Sequence, residues 1–200
     1  YNGELSLDPF NLNLNINLNN YEISSLLNNN SILNEVIKTE LLFNENISIN
    51  SFINITFDSK KKFYQNAKIN FNIINGKINL NKTRLINKKI GFFELENSNL
   101  SFENDRLILN TDILIDINNS DKLFSLLQIN KRFRKPIKNI LINLDYDFLT
   151  KQIKFNNLKI ENKEVSEELL IMMEGFSDNN TNNWNKSRRL LNSLFKTYEG

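Results

Sequence analysis

Phe10, Leu12, Leu14, Ile16 and Leu18 alternate with Asn11, Asn13, Asn15 and Asn17 in a run of strict period two. Successive side chains of a strand point to opposite faces, so this run predicts a strand about 30 Å long with one apolar and one amide face. Leu5 and Leu7 carry the opposite parity, and Asp8-Pro9 between the two runs predicts a bend where the pairing changes. Period two returns at Ile47, Ile49, Ile53, Ile55 and Phe57, and the polar cluster 58–62 predicts a turn. From Ala67 onward the pattern is a meander. Ile69, Phe71 and Ile73 form one strand, and Asn75-Gly76 is a strong hairpin signal. Ile78, Leu80, Leu85, Ile90, Phe92, Phe93, Leu100 and Phe102 carry it on to a tight turn at 103–106. Leu107, Leu109, Ile113, Ile115 and Ile117 define a long strand, and Ile140, Ile142, Leu144, Tyr146 and Phe148 another. Ile153, Phe155, Leu158 and Ile160 define the last.

Between these runs the spacing changes to three and four. Residues 21–43 predict a helical insert, in which Ser31 caps a stripe of Leu33, Val36, Ile37 and Leu41. Residues 121–129 predict a short amphipathic helix through Leu123, Phe124, Leu126 and Leu127. Ser166 is placed to cap a helix carrying Leu169, Leu170, Met172 and Met173, and 187–198 predicts a last one with Leu190, Leu191, Leu194 and Phe195. The expected fold is mainly β with α (α+β). It is a long, curved antiparallel sheet forming an open groove, with short amphipathic helices at its ends. Residues 1–162 form the sheet domain and 163–200 a C-terminal helical segment. The first residues already read as strand, so the chain is expected to be part of a longer one.

Composition changes this picture mainly by exclusion. Asparagine makes up about a fifth of the 200 residues and Ala67 is the one alanine, a skew that follows A/T-rich codons. The asparagines then read mostly as filler on solvated faces. With no histidine and no cysteine, nucleophilic systems built on His or Cys and His/Cys zinc sites are excluded. No catalytic residue, cofactor or metal is expected. A formal net charge of +2 is too mild to predict a nucleic-acid partner. Asp145 and Asp147 share a strand face, where spaced acids ordinarily meet water. The one basic cluster with an interleaved aromatic is 131–138, with Lys131, Arg132, Arg134 and Lys135 around Phe133. It is suited to phosphate, including a lipid headgroup, although a solvated loop between helix and strand is the more ordinary reading.

The alternation leaves more apolar strand face than the short helices can cover. Such a face needs a ligand or a partner. An acyl chain, at about 0.8 kcal/mol per buried methylene, is a natural occupant. A structural or assembly module pairing through its sheet edge with another chain is the alternative. A transmembrane barrel fits the alternation too, but the intervening helices and the lack of aromatic girdles count against it.

The stretch Asn72-Ile-Ile-Asn-Gly-Lys-Ile-Asn-Leu80, followed by Lys89-Ile-Gly-Phe-Phe-Glu-Leu95 and Asn104-Asp-Arg-Leu-Ile-Leu-Asn110, resembles the C-terminal region of the AsmA-like family of TamB-related bacterial envelope proteins. The resemblance runs best over residues 67–162. It implies a non-catalytic domain at the periplasmic face of the Gram-negative inner membrane, joined to the membrane through a segment outside this chain. It also implies phospholipid acyl chains as the ligand. On that reading the groove is lined by Leu12, Leu14, Ile16, Leu18, Ile53, Ile55, Phe57, Ile69, Phe71, Ile73, Leu107, Leu109, Ile113, Ile115, Ile117, Ile140, Ile142, Leu144, Tyr146 and Phe148. Lys131, Arg132, Arg134 and Lys135 would meet the headgroup.

Overall fold

The period-two runs become strands in the computed structural model, which describes residues 1–21, 36, 39–58, 63–103, 106–148, 150, 152–174, 189, 191, 192, 195 and 196. The strands are β1 (Asn2–Leu7), β2 (Phe10–Asn19), β3 (Ile47–Thr56), β4 (Asn66–Ile74), β5 (Lys77–Asn79), β6 (Arg84–Asn87), β7 (Gly91–Glu103), β8 (Arg106–Ile117), β9 (Asn139–Asp147), β10 (Gln152–Ile160) and β11 (Lys163–Glu164). All belong to one sheet in the order β1-β2-β3-β4-β5-β7-β8-β9-β10-β11. β5 and β6 fill successive parts of one position, since β4 and β7 each pair with both.

Two points differ from the sequence-based expectation. Asp8-Pro9, with a cis peptide bond, closes a tight hairpin, so Leu5 and Leu7 pair with Leu12 and Phe10 on one face. β2 and β3 run parallel, from Phe10 opposite Ile47 to Asn19 opposite Thr56. A parallel pair needs a connection of about a dozen residues or more, and the segment between Asn19 and Ile47 supplies it. The predicted helix over 21–43 falls largely outside the described residues, as does that over 187–198. What is described includes a 3-10 turn, Leu41–Phe43. Helix α1 (Ser120–Leu127) matches the prediction, started by the Asn119 side chain accepting from Lys122 N at 3.0 Å and stopped by Gln128 at φ 55°. Helix α2 (Glu167–Glu174) follows Ser166.

Register assigns the faces, because paired residues point the same way. The odd residues of β8 share a face with the even residues of β9, and through β7, β4 and β3 with the even residues of β2. That face is apolar on every long strand. Two bulges keep it so. In β7 the apolar parity passes from Phe93 and Leu95 to Leu100 and Phe102 across a bulge between Glu96 and Asn99. In β10 it passes from Ile153 and Phe155 to Leu158 and Ile160 across a bulge at 155–157. Each bulge absorbs one residue, without which half of the strand would turn its apolar side chains over.

Asparagines do structural work at the first bulge, where filler was expected. Asn81 Oδ1 accepts from Ser98 N at 2.6 Å and from Ser98 Oγ at 3.0 Å, and Ser98 Oγ accepts from Leu80 N at 2.7 Å. Ser98 is 3% exposed, so no water replaces these bonds freely. On the polar face, Asn50 donates to Asn13 at 3.1 Å and Asn54 to Asn17 at 3.2 Å, amide ladders that the in-register parallel pairing permits.

Three clusters anchor the apolar face. One holds Leu123, Phe124 and Leu127 of α1, Leu169 and Met173 of α2, and Phe195 against Ile117, Ile140, Leu158 and Ile160. A second packs Leu42 and Phe43 on Ile73, Ile78, Leu100 and Leu107. The third gathers Ile55, Phe57 and Ala67 with Tyr64. Removing the Asn81 acceptor leaves buried donors unpaired, which costs about 1–3 kcal/mol. Asn81→Ala is therefore expected to lower stability by about that amount in urea unfolding, whereas Asn13→Ala on the exposed ladder should change it by less than about 0.5 kcal/mol.

Candidate functional site

Within β2, β3, β4, β8 and β9, every residue expected to line a groove lies on the single apolar face. Phe57 and Phe148, one residue past their strands, join clusters of that same face. The structure divides these residues by burial. Ile55, Phe57, Ile73, Leu107, Ile117 and Ile140 are buried in the clusters, so their apolar surface is already spent on packing. Ile53, Ile69, Phe71, Leu109, Ile115, Ile142 and Leu18 are half-buried at the cluster margins, and Phe148 with them. Leu12, Leu14, Ile16, Ile113 and Tyr146 are half-buried and belong to no cluster, while Leu144 is buried outside them.

Together with Phe93, Leu95 and Ile153, which the pattern did not single out as lining, these last residues are the part of the face outside the three clusters. A row across the strands passes from Leu14 through Ser51 and Phe71, and beyond the first bulge from Thr111 through Leu144 to Phe155. Its small members, Ser51 and Thr111, are 8% and 1% exposed, and Thr111 Oγ1 donates to Glu96 O at 3.2 Å. The mid-face is thus apolar and low in bulk at those two positions, with helices packed at one end.

Tyr146 adds a phenol to the apolar face. Its ring meets Phe148 edge-on at 4.8 Å. Burial, and then the charge of Asp147, push its phenol above the ordinary tyrosine value. Asp147 itself is not the water-facing acid that alternation suggests. It is 5% exposed, paired with Arg106, and accepts from Thr150 N at 3.2 Å. Asp145 accepts from Asn110 at 2.6 Å and Asn156 at 3.1 Å. Both acids thus have structural partners. On the same face Arg84 pairs with Glu94 and covers the Phe92 ring at 4.0 Å. No group of three or more acidic, His or Cys side chains is assembled to hold a metal among the described residues.

The basic residues sit after α1, in a 3-10 turn, Lys131–Phe133, begun by Asn130 Oδ1 accepting from Arg132 N at 3.2 Å. They do not act as one patch. Arg134 Nε donates to Ile129 O at 2.9 Å, which ties it to the fold. Lys131, Arg132 and Lys135 are exposed, and Arg132 lies over the Phe133 ring at 4.5 Å. Lys196, remote in sequence, approaches the same ring at 5.9 Å, a juxtaposition that no local pattern encodes.

The sign of the tyrosine effect is checkable. In the unfolded chain a phenol releases its proton near pH 10, whereas Tyr146, and Tyr64 through burial alone, hold theirs to higher pH. Stability from both is complete below pH about 10 and falls above it, as the unfolded state loses protons that the native state keeps. A phenolate absorbance titration should show two late-titrating groups, one removed by Tyr64→Phe and one by Tyr146→Phe. A profile unchanged by either substitution would contradict the assignment.

No family model, curated protein or solved structure matches the chain.

Proposed function

We propose that the chain is a non-catalytic, lipid-binding envelope domain of the AsmA-like kind, in which the mid-face of the sheet holds phospholipid acyl chains. The observation that carries this reading is the continuity of one apolar face across β2, β3, β4, β7, β8, β9 and β10, kept on one side by two bulges, with Leu14, Ile16, Leu95, Ile113 and Leu144 outside the three packed clusters. In this reading the sheet curves and its mid-face is an open groove, bounded by helix α1 and α2 at one end and the Leu41–Phe43 turn at the other. Tails lie across the strands, and headgroups stay in water beside the polar rim. A sixteen-carbon tail gains on the order of ten kcal/mol from burial before ordering costs. A surface this uniform lacks a site fixing the tail's position, so a tail can slide. The domain then contributes to lipid movement between the inner and outer membranes, from the periplasmic face of the inner membrane, or to outer-membrane assembly.

The edge strand favours one second reading. Among the described residues β1 pairs only with β2, and Leu5 and Leu7 are 59% and 76% exposed. An open edge with exposed apolar residues suits pairing with another envelope protein.

Mass spectrometry of the purified protein separates the two. The lipid reading expects co-purified phospholipid near one per chain, reduced several-fold by Leu95→Ser with Ile113→Ser while the protein remains folded. A folded protein free of lipid, able to pair through β1, would favour the assembly reading and overturn the first.

A further inference from the structure

Beside the Phe133 ring lies a cleft of about 200 Å³, lined chiefly by Gln128, Asn130, Arg132, Phe133, Asn192 and Lys196. Three features set it apart from the rest of the surface. Its two cations, Arg132 and Lys196, share one aromatic ring and have no carboxylate partner among the described residues. Among the described residues no acidic side chain lines it. Asn192 Oδ1 is buried there with no hydrogen-bond partner. Three other cations are paired with carboxylates: Arg84 with Glu94, Arg106 with Asp147 and Lys159 with Glu164. The larger cleft beside β10 likewise holds both signs, with Arg106 and Lys154 among Asp145, Asp147 and Glu174.

Two like charges beside one ring, with an orphaned amide, form an arrangement that an anion completes. An amide's oxygen and nitrogen exchange places by a half-turn, so Asn192 can present Nδ2 as a donor to the cleft. We infer that the cleft between the Lys131–Phe133 turn and Asn192/Lys196 is a phosphate-binding site. The guanidinium of Arg132 would meet two phosphate oxygens, Lys196 would supply a point charge, and the Asn192 amide would donate. Phe133 holds both cations on its face, and also packs against the cluster that anchors α1 and α2 to the sheet. The site therefore lies at the rim of the apolar face. Inorganic phosphate and a phospholipid headgroup share the chemistry required; the lipid source rests on the acyl-chain reading above, and the anion site does not.

The test is an NMR titration of the whole chain with sodium phosphate at matched ionic strength, following the Arg132 Nε–H and the Asn192 side-chain amide. Saturable shifts at both groups are expected. Asn192→Asp keeps the shape and puts a negative charge in the cleft, and should weaken binding by tenfold or more, as should Arg132→Ser, about the effect of losing one charge-assisted hydrogen bond. Lys68→Ser, at an exposed position of β4, should change it less than twofold. Vesicles of phosphatidylcholine with and without phosphatidylglycerol then identify the source. Sedimentation with the anionic vesicles that is lost in Asn192→Asp assigns a headgroup, and phosphate binding without sedimentation assigns free phosphate. A flat phosphate titration, or equal binding by wild type and Asn192→Asp, would overturn the site. Lipid retained by Asn192→Asp while phosphate binding is lost would separate this site from the acyl-chain reading.

Discussion

Everything in this structure depends on holding one strand parity on one side of a wide sheet. A slip of a single residue would carry an entire strand's leucines and isoleucines from one face to the other. Where the sequence changes parity, in β7 and β10, a bulge absorbs the extra residue. Where the chain re-enters the sheet in parallel, the register still brings Leu12 beside Ile49 and Ile16 beside Ile53. At the β7 bulge Asn81 Oδ1 accepts from Ser98 and Thr111 Oγ1 donates to Glu96 O, so these buried donors find acceptors.

That constraint separates the two faces in packing as well as composition. The polar face is stitched by amide ladders and by the Arg84–Glu94 and Arg106–Asp147 pairs. The apolar face is packed in three clusters, each built from a different part of the chain. The acyl-chain proposal concerns what remains between them, and the phosphate site concerns the rim of the cluster that includes α1 and α2. A tail on the one and a phosphate on the other would use the two halves of one amphipathic molecule.

Much of this was legible in the sequence because period two is a local property. The runs 10–18, 107–117 and 140–148 directly define strands, and one face could be assigned within each. The short helix over 121–129 was legible from its spacing, with only its end moved to Gln128 in the left-handed region. Sheet order was not legible, and the parallel β2–β3 pair least of all, since strand pattern carries no direction. Burial along one face was also hidden. Ile55 and Ile53 look alike in sequence, yet the first is 1% exposed and buried in a cluster while the second is half-buried at its margin. The pairing of Lys196 with Phe133 depends on tertiary folding, and so does the buried state of Asp147.

The central claim is that lipid acyl chains lie on the apolar mid-face and not on the polar face. Photo-crosslinking tests it most directly, with a benzophenone side chain placed at Ile113 on the apolar face or at Asn99 on the polar face, followed by mass spectrometry of adducts. The account predicts phospholipid adducts through the acyl chain at position 113 and none at 99. Equal labelling at both positions, or none at 113 in a folded protein, would contradict it.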